Sequence, residues 1–100
     1  MELNINDQKT INTTASVVSI EKSNNNGERS SIILTNTSTG GETITVAIGA
    51  EAVANKGIVL GVGSVWADTR DGGYIPTQSE ITAIASGIGA LLSVQERVRR

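Results

Sequence analysis

The sequence predicts an all-β fold, a single-domain β-sandwich or jelly-roll-like barrel of seven or eight short antiparallel strands with an extended N-terminal arm. Apolar and polar residues alternate over short runs, as they do in strands that bury one face. Clusters of Gly, Asn, Ser and Thr separate these runs at the ~8–12-residue spacing of sandwiches and barrels. Because the 100 residues contain no Phe, one Trp and one Tyr, the core has to be built from Ile, Val, Leu and Ala. Most of these side chains suit pleated sheets.

The N-terminal segment differs in pattern from the rest of the chain. Residues 1–12 are polar except for a brief alternation of Leu3 and Ile5, which is too short to form an element alone. We therefore expect an arm over 1–12 and a β-sandwich domain over 13–100. Leu3 and Ile5 are candidate interface residues, because an arm of this kind is able to pair with the exposed edge of a neighbour's sheet.

The residue pattern over 13–48 predicts three strands. Residues 13–22 alternate, and the Asn- and Gly-rich stretch at 23–27 is typical of a turn, so a hairpin to a strand at 29–37 is expected. The apolar run within that second strand indicates burial on both faces. Residues 43–48 carry the clearest period-2 pattern of the chain.

Shorter elements follow. Residues 49–56 favour a loop with a helical turn, because eight residues fall short of the ~12–15 that a stable isolated helix needs. Short strands are predicted at 57–63 and 64–69, with a turn at 70–73. The proline in 74–76 restricts any strand there to a sheet edge.

The last third of the chain fits either a helix or two strands. A helical stripe would place Gly87 and Gly89 inside the helix, each at a cost of about 1 kcal/mol relative to Ala. Paired strands at 80–86 and 90–97, joined through Gly87-Ile88-Gly89, are therefore preferred.

The residue inventory argues against catalysis. Histidine and cysteine are absent, which removes the usual general base near neutral pH, the commonest metal ligands and the Cys nucleophile. The Asp-rich segment 68–73 lacks the ligand spacing of a calcium loop, and the glycines of 57–63 lack the Lys-Ser/Thr of a phosphate-binding loop. We expect no enzyme activity, no catalytic or metal-binding residue and no cofactor. A small enzyme that works with carboxylates alone is the remaining alternative.

The net charge and the hydropathy pattern argue against two kinds of partner, nucleic acids and membranes. The formal net charge is −2, with both signs spread along the chain, which disfavours specific nucleic-acid binding. The basic tail of Arg97, Arg99 and Arg100 is expected to be a solvated, partly frayed terminus. No apolar run approaches the ~18–20 residues of a membrane-spanning helix, and no signal-like leader follows the initiating Met. We therefore expect no membrane partner and synthesis in the cytoplasm.

Trp66 and Tyr74 are the two aromatic residues of the chain and complete the set of candidate interface residues. The favoured interpretation is that they cap the core or lie in a subunit contact. The alternative is that, together with the loop at 68–73, they form a platform on which a sugar ring stacks.

Strand patterns with turn glycines recur along the chain outside the arm. They occur at 29–38, 44–49, 57–64, 81–86 and 92–96. This succession resembles the small virion proteins of bacteriophages, of the capsid decoration, cement or other accessory head type. The resemblance implies a sandwich or jelly-roll-like fold and a homo-oligomer, with a trimer or a pentamer among the expected forms. It identifies no functional residue.

The expected function is that of a non-enzymatic viral structural protein, made in the host cytoplasm and located in the virion. It would coat or reinforce a phage capsid by binding copies of itself and the major capsid protein or other virion proteins. A core without Phe supports this expectation, since a thin core gains stability from docking. The alternative is a carbohydrate- or receptor-binding β-module of a virion.

Overall fold

The computed structural model describes residues 2–23 and 26–99, and eight strands lie within them. The strands form two four-stranded antiparallel sheets, sheet A in the order β1-β8-β3-β6 and sheet B in the order β2-β7-β4-β5. Their bounds are β1 Glu2–Ile11, β2 Ser16–Ser19, β3 Glu28–Asn36, β4 Ile44–Ile48, β5 Ile58–Leu60, β6 Val65–Thr69, β7 Ile81–Ala85 and β8 Ala90–Arg99. The all-β prediction is confirmed.

The connections between the strands define a jelly roll. Six of the seven connections cross from one sheet to the other, and only the one between β4 and β5 stays within a sheet. Two antiparallel four-stranded sheets linked in this way form a double-sheet jelly roll. The jelly-roll-like architecture predicted from the sequence is confirmed.

Two predicted strand pairings are wrong. The hairpin expected between 13–22 and 29–37 does not form, because β2 lies in sheet B and β3 in sheet A. The strands at 80–86 and 90–97 are both present but not paired, since β7 bonds to β2 and β4 while β8 bonds to β1 and β3. Of the turn at 23–27, Asn24 and Asn25 lie outside the described residues.

The predicted arm over 1–12 is wrong for residues 2–11, which form β1 of sheet A. Strand β1 pairs with β8 without interruption, from Glu2 opposite Arg99 to Ile11 opposite Ala90. Ile11 is 1% exposed and belongs to the core. Met1 lies outside the described residues.

Two loops also differ from expectation. Residues 49–56 form no helical turn; a β-bridge joins Val53 to Lys56, whose amide donates to the Val53 carbonyl at 3.0 Å. No strand forms at 74–76. Instead, the Tyr74 amide donates to the Asp71 carbonyl at 3.0 Å and closes a turn.

The hydrophobic core lies between the two sheets, and its buried cluster is entirely aliphatic, as the composition predicts. The cluster comprises Ile11, Val18, Ile32, Leu34, Ile44, Val46, Leu60, Ile81, Ala83, Ala85, Ala90, Leu92 and Val94. Gly57 lets the backbone approach β4 closely: its φ is +126°, and a Cβ there would lie 2.7 Å from the Val46 carbonyl oxygen. A side chain at this position would therefore displace β5 from β4.

Candidate interaction surfaces

A buried polar network joins the two sheets at one end of the sandwich. Arg29, 0% exposed, donates from Nε to Glu96 Oε2 at 2.6 Å and from Nη2 to Ser19 Oγ at 2.7 Å. Ser19 in turn donates to the same Glu96 oxygen at 2.8 Å, and Lys22 Nζ lies 3.9 Å from it. The remaining Arg29 protons bind the carbonyl groups of Ile20, Thr77 and Ser79. The network therefore fixes the loops after β2 and before β7.

Two β-bulges aim these side chains inward. In β3 the register with β8 shifts between Arg29 and Ser31, and in β2 the register with β7 shifts between Val17 and Ser19. A bulge adds one residue to a strand and reverses the side to which the following side chains point. As a result, consecutive residues are buried in each strand, and Arg29 and Ser19 both reach Glu96.

Sequence reasoning missed this network, although one part of it left a signal. Glu96 continues the buried alternation of Leu92, Val94 and Val98 along β8, so a charge on the apolar face was visible in the sequence. Arg29 follows a polar turn and carried no such signal, because the bulge that turns it inward is not encoded by a simple period.

The two aromatic candidates do not lie in equivalent environments. Trp66 points from β6 into the sandwich and packs against the core cluster, whereas Tyr74 is 53% exposed. The Tyr74 hydroxyl donates to Asp68 Oδ1 at 2.5 Å, and the Thr77 amide donates to Asp68 Oδ2 at 2.9 Å. The hydrogen bond to Asp68, more than burial, raises the pKa of the Tyr74 phenol above its usual 10.0. Tyr74 is thus the aromatic residue available to a partner.

Each sheet has two edge strands that pair with one neighbour only. Three of these edges are short, with β2, β5 and β6 spanning four, three and five residues. Strand β1 is an edge of ten residues. A long edge presents a row of unpaired N–H and C=O groups to which a further strand can bond. Leu3 is half-buried and Ile5 is 40% exposed, both on the inner side of this strand.

Charges on the inner side of β1 limit what can pair with its edge. Asp7 and Lys9 lie opposite the buried Val94 and Leu92 of β8 and form an ion pair of 3.7 Å with each other. Both side chains remain substantially exposed, at 52% and 37%. Inward-pointing charges on an edge strand deter indiscriminate pairing, because an added strand must leave them in contact with water.

The outer faces of the two sheets differ. The loop at 49–57 covers part of sheet B: the Asn55 amide donates to Thr45 Oγ1 at 3.0 Å, Thr82 Oγ1 donates to the Ala50 carbonyl at 2.7 Å, and Ala52 is 3% exposed. Within the described residues no segment covers sheet A in this way. We call this outer surface the bare face; apart from Arg97, which lies between Asn4 and Ser31 at one end, it is uncharged. Its uncharged residues, in register across the strands, are Asn4, Asn6, Gln8, Thr10, Leu91, Ser93, Gln95, Ser31, Ile33, Thr35, Val65, Ala67 and Thr69.

The basic residues near the C-terminus lie at one end of the bare face. Arg97 and Arg99 belong to β8, a central strand of sheet A, so the expected frayed tail is wrong for these two residues. Arg97 donates from Nε to Asn4 Oδ1 at 3.2 Å, and Arg99 lies opposite Glu2 and Glu28 in the register. Arg100 lies outside the described residues.

Among residues 2–23 and 26–99, no group of three or more His, Cys, Asp or Glu is placed to hold a metal ion. In the segment 68–73, Asp68 is engaged by Tyr74 and Thr77. None of the described residues belongs to a helix of the length and apolar character that a bilayer crossing requires.

The strand order defines the class of protein as an all-β jelly roll. Comparison with protein-family models and with curated proteins finds no match. Among solved structures, the chain is similar to one from a study of Bacillus endospore appendages, described as a novel family of disulfide-linked pili. The TM-score is 0.54, with 18% identity, over 98% of this chain and 86% of that one. At this identity the likeness shows the fold alone.

Proposed function

We propose that the chain is a non-enzymatic structural subunit that assembles with copies of itself and coats or reinforces a phage capsid. The observation that supports self-assembly is the ten-residue edge of β1, which pairs with β8 on one side only; the capsid is proposed from the sequence resemblance. Backbone groups along such an edge bind a neighbouring strand without any need for a catalytic or ligand-binding centre.

The jelly-roll topology supports repetition of this contact. Neighbouring strands of sheet A are all antiparallel, so β1 and β6, at its two edges, also run in opposite directions. A second copy in the same orientation that places β6 beside β1 therefore continues the antiparallel order. Heterologous contacts of this type build rings or filaments according to the rotation between copies.

The core supports the same proposal. Its hydrophobic cluster is aliphatic, and the chain contains no Phe. A domain of this length buries only about two thirds of the surface that its unfolded chain exposes. Association with other copies would therefore add stability that the isolated domain lacks.

The structural neighbour and the sequence resemblance suggest two different assemblies to which such a subunit could belong. The neighbour's description refers to pili, and the sequence resembles accessory head proteins of phages. The 100 residues contain no cysteine, so the disulfide linkage named for those pili has no counterpart within them. We retain the virion as the proposed setting, with the major capsid protein or another virion protein as the partner.

Proline substitutions in the edge strand test self-assembly. Successive residues of β1 point their N–H groups alternately towards β8 and away from it, and proline removes the N–H group. Of Asn6→Pro and Asp7→Pro, one variant loses a bond to β8 and melts at a lower temperature. The other keeps the fold and loses only a donor of the free edge. We expect the unaltered chain to form large assemblies that are visible in light scattering and in negative-stain images, and we expect this second variant to lose them.

Assemblies that persist in both proline variants would show that the β1 edge is not used. The capsid setting has a separate test, in which the tagged chain is mixed with intact phage heads and the heads are pelleted. We expect the chain to sediment with the heads in a fixed ratio to the major capsid protein. A chain that stays in the supernatant would contradict the setting and leave self-assembly unaffected.

A further inference from the structure

The bare face of sheet A is large enough to form an interface. Its strands contain ten, ten, nine and five residues, and each strand residue occupies about 3.4 Å by 4.8 Å of a sheet. The plane of the whole sheet therefore covers about 550 Å², of which the bare face takes about three quarters. The ~800 Å² per partner of a standard interface is an accessible area, which exceeds the flat area because of the relief of the side chains. Sheet B, with strands of four, five, five and three residues, is about half as large and is partly covered by the loop at 49–57.

The chemistry of the bare face fits a copy of itself. Near its centre, Thr35 lies between Ser93 and Val65 in the register, and Gln8 lies beyond Ser93. Hydroxyl and carboxamide groups both donate and accept hydrogen bonds, so a surface composed of them is complementary to an identical surface. Val65, 58% exposed, supplies apolar area at the edge.

The distribution of charge points the same way. The central rows of the bare face carry no charged side chain. Arg97 lies between Asn4 and Ser31 in its last row, and Glu2 and Arg99 lie beyond that row at the same end. Depletion of charge at the centre with charges at the rim is the compositional signature of protein interfaces. The rim contains both acidic and basic side chains, so the rims of two copies do not repel each other through like charges alone.

We propose that two copies of the chain pack the bare faces of their A sheets against each other as a two-fold symmetric dimer. This inference rests on the proposed self-assembly and specifies a surface for it that is distinct from the β1 edge. A two-fold axis brings the same patch of both copies together, and two sheets pack face to face at about 10 Å.

The test compares charges placed on the two outer faces. Ser93→Arg lies near the centre of the bare face, and Val65→Arg lies at its edge; the matched control is Val59→Arg, an exposed valine on the outer side of sheet B. Sedimentation equilibrium of the full chain, at concentrations below those at which large assemblies scatter light, should give twice the 10.4 kDa mass of one chain. Both bare-face variants should weaken the dimer at least about tenfold, because each buries an unpaired charge, while Val59→Arg should leave it unchanged.

The outcomes separate the two proposals. Asn6→Arg, on the exposed edge of the same face, replaces Ser93→Arg if the latter melts at a lower temperature than the unaltered chain. A dimer unchanged in all bare-face variants would overturn the inference and leave self-assembly standing. A chain that stays monomeric up to millimolar concentration would overturn both. The dissociation constant should change little between low and about 0.5 M salt, since the centre of the interface is uncharged; a steep salt dependence would contradict the proposed face.

Discussion

Arg29 donates from Nε to Oε2 of Glu96 at 2.6 Å, which joins the neighbouring strands β3 and β8 through a pair of almost fully buried side chains. Removing the carboxylate of Glu96 leaves both Arg29 and the nearby Lys22 buried without their counter-ion, which costs about 3–5 kcal/mol. We expect Glu96→Gln to lower the free energy of unfolding in urea by that amount. Arg29→Met should cost at least as much, since the carbonyl groups of Thr77 and Ser79 lose their donor as well.

The exposed ion pair between Arg70 and Glu28 provides the control for this experiment. Exposed pairs contribute about 0–1 kcal/mol, because water screens the charges. Glu28→Gln should therefore change stability by less than about 1 kcal/mol. Equal effects of Glu28→Gln and Glu96→Gln would contradict a structural role for the buried network.

Asn36 holds the other end of the sandwich together. Its side chain is fully buried, donates to the carbonyl groups of Glu42 and Leu60 at 2.8 and 2.9 Å, and accepts from the Ser38 amide at 3.0 Å. Asn36→Ala leaves these groups unsatisfied, and we expect a loss of about 2–4 kcal/mol in urea unfolding. Thr35→Ala, one residue earlier on the outer face, should cost less than about 1 kcal/mol; a similar loss in both variants would argue against the hydrogen bonds as the cause.

A position can require glycine because its φ is positive or because a neighbouring backbone leaves no room for a Cβ. Gly57 and Gly41 allow these two reasons to be compared. Both have positive φ, +126° and +85°, but only at Gly57 does a Cβ meet backbone, 2.7 Å from the Val46 carbonyl oxygen. Gly41→Ala should cost about 1 kcal/mol from the backbone conformation alone. Gly57→Ala should cost about 3 kcal/mol or more, because β5 has to move away from β4. Thermal unfolding followed by circular dichroism checks the order, and equal losses would exclude the close approach.

Tyr74 is the only tyrosine of the chain, so its ionisation is measurable without interference from another phenol. Because the protonated hydroxyl donates to Asp68, the folded-state pKa lies above 10.0, and the phenolate absorbance should appear above that pH. Asp68→Ala should return the midpoint towards 10.0. The hydrogen bond stabilises the fold below pH 10 and is lost as the pH rises through the raised pKa. The melting temperature of the unaltered chain should therefore fall more steeply in that range than that of Tyr74→Phe.

The positions of seven of the strands were predictable because their local patterns are short and regular. Along β4, Ile44, Val46 and Ile48 alternate with polar or small residues, which is the period of a strand. Glycines flank β5 and mark both of its ends. Strand β1 was missed because Asp7 and Lys9 interrupt its inward alternation between Ile5 and Ile11. Its stability comes from ten pairs with β8, a strand at the opposite end of the sequence.

Strand partners were less predictable than strand positions. A turn such as 23–27 or Gly87-Ile88-Gly89 has the same composition whether the chain returns to the same sheet or crosses to the other one. The candidate surfaces depend on these partners. Trp66 and Tyr74 were identified as interface candidates, but the register that turns Trp66 into the core and leaves Tyr74 outside is set by pairing with Leu34 and by the turn at 71–74.

The loop at 49–57 has a consequence for the size of any assembly. It covers part of the back of sheet B through hydrogen bonds to Thr45 and Thr82 but leaves Val59 exposed there, whereas no described segment covers the back of sheet A. In the proposed dimer the two loop-bearing sides would face outwards. The loops would hinder a third layer, so a larger array would extend more readily sideways, through the strand edges.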